Sequence, residues 1–146
     1  MLSKICRKVK ELGIKIDYIE MEDNGHFGIF NDLPVILINQ NLDKLDISLT
    51  ILHETAHFLN GDCDKYISNH FQNDSLEYEA NKYMIQVIMK MLDEQYDFTT
   101  DTNYQQIIDN LNLPYNLDGI IIDEFNNIIS DKLGLTPYHE SDCFYE

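Results

Sequence analysis

The sequence predicts an α+β fold: a small antiparallel or mixed sheet of about three strands packed on one central helix, with additional helices toward the C-terminus. Three observations predict it. Short runs rich in β-branched and aromatic residues lie between residues 14 and 39, a strongly apolar segment of helical period follows directly, and the chain from about residue 75 onward reads at helical spacing. All 146 residues are expected to form a single domain, with a core over about 13–92 and a helical extension over about 101–134.

The first element, "SKICRKVKEL", places Ile5, Val9 and Leu12 at helical spacing and stops at Gly13. "IKIDYI" then alternates as a strand, "MEDNG" turns into "HFGIF", and "NDLP" turns into the β-branched run "VILIN". Read in order, these three strands form a meander. The central helix begins at Asp43, an N-cap whose partner Asp46 stands three residues on. Leu45, Leu49, Leu52, Ala56 and Leu59 recur every three or four residues, and Ile47, Ile51 and Phe58 widen the stripe, so most sides of this helix are expected to be buried. Asn60 and Gly61 supply its left-handed stop.

A polar loop, "DCDKYISNHFQND", leads to a helix from about Ser75 to about Leu92, with Ala80, Met84, Val87, Ile88 and Met91 on one face. After the loop "EQYDFTTDTN", the segments "YQQIIDNLNLP" and "LDGIIIDEFNNIISDKLG" read as two further helices, the second ended by Gly134. "TPYHESDCFYE" is expected to fray.

Composition narrows the function classes. With 44% hydrophobic residues the chain can bury a real core, and no apolar run reaches the roughly 18–20 residues that span a bilayer. The N-terminus lacks the apolar stretch of a signal peptide, so a cytoplasmic protein without a membrane role is expected. Cys6, Cys63 and Cys143, odd in number and widely spaced, fit free thiols in a reducing compartment. Ten Lys and Arg against 26 Asp and Glu give a net charge of −16, which repels phosphate backbones and attracts a basic protein partner.

The chemistry concentrates in "ILHETAHFLNGD", residues 51–62. His53 and His57 are one helical turn apart, so both imidazoles can converge on one ion at about 2.0–2.1 Å. Glu54 follows His53 by about 100° around the helix, where it can reach a water activated by that ion without being a ligand itself. A charged Glu and two His inside a largely buried helix would be costly unless paired or liganded.

Two protein ligands do not complete a catalytic zinc site, and the next helix offers a third. Glu77 shares the inward stripe of Ala80, Met84, Val87 and Ile88, whereas Glu79 aligns with Tyr83, Gln86 and Lys90. Glu77 is the expected ligand and Glu79 the alternative; as a helix-capping pair, Asp74 and Glu77 would have a purely structural role.

The ordered set of strand, the hairpin "GIFNDLPVILINQNL", the helix "ILHETAH" and "EYEAN" opening the next helix resembles the ImmA/IrrE-type metallopeptidases of phages, mobile elements and stress regulators. The likeness runs from about Gly13 to about Met91. It departs at Tyr83 and Met84, where phenylalanine and alanine commonly follow the ExxAN element, and the chain beyond about residue 92 matches poorly.

The resemblance implies a minimal gluzincin-like domain in which His53, His57 and Glu77 hold Zn2+ and Glu54 is the general base; the sequence does not distinguish zinc from Mn2+ or iron in its place. It also implies the substrate: a helix-turn-helix repressor of the element's own genes. The run "VILIN" is expected either to be an exposed sheet edge that holds an extended substrate or to be a buried strand. His26, His70, Tyr78, Tyr104 and His139 are the candidates for stabilising an oxyanion. The competing expectations are a zinc-containing, non-proteolytic module that sequesters a basic protein, and an α+β protein without metal.

Overall fold

The computed structural model describes residues 1–62 and 70–135, the side chains of 70–73 excepted. Its elements in chain order are α1 (Leu2–Glu11), β1 (Lys15–Ile19), β2 (Gly25–Phe30), β3 (Leu33–Asn39), α2 (Lys44–Leu59), α3 (His70–Tyr96), α4 (Tyr104–Leu111), a 3-10 turn (Tyr115–Leu117) and α5 (Asp118–Leu133). The fold is α+β with a three-stranded mixed sheet, as the sequence predicts. Two compact units are distinguished, Met1–Ile88 and Met89–Glu146, divided within α3.

The sheet order is β1-β3-β2, not the expected meander. β3 pairs in parallel with β1 and antiparallel with β2. Two local facts account for this order. Asn31 and Asp32, the two residues between β2 and β3, both adopt positive φ, 51° and 64°, which closes the tight hairpin whose twist matches its strands. The connection over residues 20–24 then crosses the end of β3: Asn39 N–H donates to Asn24 C=O and Gln40 N–H to Ile19 C=O, at 2.8 and 2.9 Å. Five residues comfortably span two strand spacings of about 4.8 Å each.

The most apolar strand therefore takes the middle. Val35, Ile36 and Ile38 are buried, and both edges of the strand are paired. "VILIN" is thus an interior strand, the second of its two expectations and not the exposed edge of the first; β1 and β2 are the outer strands.

α2 forms where the sequence places it. Asp43 caps it, its carboxylate accepting the Asp46 N–H at 2.8 Å, and Gly61 ends it with φ 66°. Ser48, Thr50 and Thr55 are buried on this helix, and each hydroxyl donates to the carbonyl four residues back (Lys44, Asp46 and Ile51, at 2.6–2.8 Å), so none costs an unpaired polar group. The helix lies directly on β2. A Cβ added to Gly25 would stand 2.5 Å from the Thr50 methyl and 2.9 Å from the Leu37 carbonyl oxygen, so only glycine permits this approach. One residue on from His26, the Phe27 ring meets Phe58 edge to face at 5.7 Å.

α3 is longer than its apolar period predicts, starting at His70 and running to Tyr96. Asp74 lies inside it, so Glu77 does not belong to a capped N-terminus as the capping alternative required. Among the described residues of the second unit, Phe125 packs against Phe98 and Tyr104 at 5.6 and 5.7 Å. Lys132 joins α5 to the end of α3 through Asp93, through Asp97 at 3.1 Å and through the Phe98 carbonyl at 2.7 Å. α4 has its N-cap at Asn103, and α5 ends as expected at Gly134, in the left-handed region. Cys63, His139, Cys143 and the expected frayed end lie outside the described residues, and no helix among the described residues is long and apolar enough to cross a membrane.

Candidate metal centre

The caps of α2 fix its phase, and one turn of that phase sets His53 above His57. Their rings stand edge to face with centroids 4.8 Å apart, and their Nε2 atoms meet at 3.1 Å. Glu77 comes from α3 and spans both: Oε2 lies 3.0 Å from His53 Nε2 and Oε1 3.0 Å from His57 Nε2. Donor atoms of all three residues fall within 4.8 Å of one another. Glu79, one helical step off this face, is exposed and takes no part in the cluster.

The donor set fits a divalent ion. Ligands at about 2.0–2.1 Å in a tetrahedral site are roughly 3.3–3.4 Å from one another, close to the spacings found here, and imidazole and carboxylate are both ordinary zinc ligands. Three protein donors leave a fourth position open, and Glu77 with about half of its side chain exposed leaves that side of the cluster accessible.

His57 is held from both ends. Its Nδ1 lies 3.0 Å from Oδ2 of Asp62, a residue that is completely buried just past the end of α2. Burial works against a charged His57, but hydrogen bonds with Glu77 and Asp62 and the charges of Glu77 and Glu54 outweigh it, and the pKa is raised. The Nε2 proton is the one that must leave for a metal to bind there. Glu54 stands beside the cluster and outside it. Burial raises its pKa and the Glu77 charge adds to the rise, while His53, His57 and His26 oppose it.

The structure brings together His53, His57 and Glu77, with Glu54 alongside. Of the oxyanion candidates, His26 on β2 is near enough for its charge to act on Glu54, whereas Tyr78 is exposed and Tyr104 belongs to the other unit, against Phe125. The side chain of His70 and the whole of His139 lie outside the described residues. Asp62 was not among the residues singled out by sequence. Its only signal is position, a carboxylate immediately after the Gly61 helix stop, where a left-handed turn sends the chain back toward the helix.

This fold and site define a class: a small α+β domain whose central helix and its successor present a His-His-Glu cluster able to hold a metal ion. The profile of the Peptidase M78 family, described as the IrrE N-terminal-like domain, matches residues 9–112, and the chain belongs to that family of peptidases. No curated protein and no solved structure matches the chain significantly.

Proposed function

We propose that this chain is a zinc-dependent endopeptidase of the HExxH type that cuts a regulatory protein, a helix-turn-helix repressor of a phage or mobile element. The observation that carries the proposal is the convergence of His53, His57 and Glu77 beside a partly buried Glu54, in a chain of a peptidase family. A zinc ion held by the three would polarise the scissile carbonyl and acidify water. Glu54, whose pKa burial raises toward the range useful for proton transfer, takes the proton of the attacking water and returns it to the leaving amine.

With β3 in the interior of the sheet, β2 is the outer strand beside the site, since Gly25 and Phe27 touch α2 at Thr50 and Phe58. An extended substrate segment pairing with β2 would run past Glu54 and the histidines. The net charge of −16 supports a basic partner, a property of DNA-binding repressors.

The test is co-expression of the chain with a helix-turn-helix repressor encoded beside it, read by mass spectrometry of the repressor. Wild type is expected to give one cut, and Glu54→Gln to keep metal and fold while losing cleavage by about 10²–10⁴-fold. Cleavage at the wild-type rate by Glu54→Gln contradicts the proposal. The acidic surface also favours a second reading, a non-proteolytic module that sequesters the repressor; unchanged antagonism of the repressor by Glu54→Gln would establish it.

A further inference from the structure

We infer that Asp62 is a positioning residue of the metal centre: it fixes the ring orientation and tautomer of His57, so that Nε2 is the nitrogen offered to the metal. The inference rests on the metallopeptidase reading and deepens it. An ionised carboxylate can only accept, so the 3.0 Å contact between Asp62 Oδ2 and His57 Nδ1 requires the ring to donate from Nδ1. The remaining nitrogen, Nε2, is the one that faces His53 Nε2 and Glu77 Oε1, at 3.1 and 3.0 Å. A neutral His57 bonded in this way has its lone pair on Nε2, aimed into the cluster.

The contact is built rather than incidental. Asp62 is fully buried and His57 nearly so, which removes the competition from water that weakens surface pairs. The chain delivers the carboxylate through the left-handed Gly61, at φ 66°, only five residues after the histidine it holds. Within the described residues no corresponding carboxylate is seen at His53 Nδ1; the contact found for that ring beyond His57 is Glu77, through the same nitrogen that faces the cluster. His57 is therefore the fixed ligand of the pair, and Asp62 fixes it.

The experiment measures zinc affinity by competition with a chromophoric chelator, alongside the melting temperature of each metal-free protein. Asp62→Ala removes the acceptor, Asp62→Leu removes it while filling the space and is used where Ala does not fold, and Asp62→Asn retains an acceptor oxygen. The acceptor-free variants are expected to bind zinc about 10–100-fold more weakly than wild type at a temperature where all are folded, and Asp62→Asn to recover most of that loss. In the zinc-loaded protein, the slowly exchanging His57 Nδ1–H proton resonance should be present in wild type and Asp62→Asn and absent in the acceptor-free variants. Wild-type affinity in Asp62→Ala or Asp62→Leu overturns the inference, as does an Asp62→Asn affinity as weak as theirs. A wild-type protein that binds no zinc is a different result, visible without any variant, and it removes the metallopeptidase reading together with the inference.

Discussion

Among the described residues, the unit Met1–Ile88 buries five polar side chains, Ser48, Thr50, Thr55, His57 and Asp62, all on α2 or just past it, whereas in Met89–Glu146 only Glu124 is buried and polar. In the first unit three of the five are hydroxyls satisfied by their own helix, and the other two form a pair that continues into the His53–Glu77 cluster. In the second unit Lys132 pairs with Asp93 and Asp97 at the edge of a cavity of about 200 Å³ lined by Asp93, Asn127 and Asp131 among others, and these pairs tie one element to another. Burying a paired polar group is expensive relative to an apolar one of similar shape, so its concentration around one helix marks where the fold serves chemistry. In the second unit the contacts of Lys132 instead hold α5 to the end of α3.

Truncation of a core isoleucine in each unit sharpens that contrast most strongly. Ile51 on α2 and Ile121 on α5 are both fully buried, and Ile51→Ala and Ile121→Ala should each cost about 2–5 kcal/mol in denaturant unfolding. Only Ile51→Ala should also weaken zinc binding, because it loosens the helix that carries both histidines; a matching loss in Ile121→Ala would break the assignment of the chemistry to the first unit. Gly25→Ala should follow, destabilising by about 1–3 kcal/mol through the overlap with Thr50 and the Leu37 carbonyl, with the same measurement as its check.

Smaller again is the effect of Glu54 on the metal-free protein. Its folded pKa lies above the ordinary 4.5, so the fold binds its proton more tightly than the unfolded chain does. The stability this provides is complete below the unfolded value and is lost as pH rises through the folded one. Metal-free Glu54→Gln should accordingly melt above wild type at neutral pH, with the gap closing below about pH 4.5 in thermal scans. An equal gap at both ends of the range would show that Glu54 is not held in the buried setting described. Least of all, Lys132→Met should lower the melting temperature slightly, by releasing Asp93, Asp97 and the Phe98 carbonyl, while leaving zinc affinity untouched.

Much of this arrangement is legible in the residues because it depends on short-range rules. Asp43 and Asp46 announce α2, Gly61 ends it, and the four-residue step from His53 to His57 needs nothing but helical geometry. Glu77 could be preferred over Glu79 because the apolar stripe of α3 carries a phase across the helix. The sheet order was not legible, since which strand takes the centre is decided by pairing between β1 and β3, which are not consecutive in the chain; the only trace was that "VILI" is more apolar than its neighbours and so gains most from two paired edges. The early start of α3 was hidden because residues 70–74 carry no apolar period of their own. Asp62 was hidden for a third reason: its role comes from a chain reversal, and polar residues after a helix stop otherwise read as loop.

Metal binding by His53, His57 and Glu77 underlies the proposed function. Elemental analysis of the full chain purified after zinc-replete expression, with His57→Ala prepared in parallel, tests it most directly. About one zinc per chain in wild type and none above background in His57→Ala is the expected result. A folded wild-type protein without zinc, manganese or iron, or a His57→Ala variant that retains the metal in full, would contradict it.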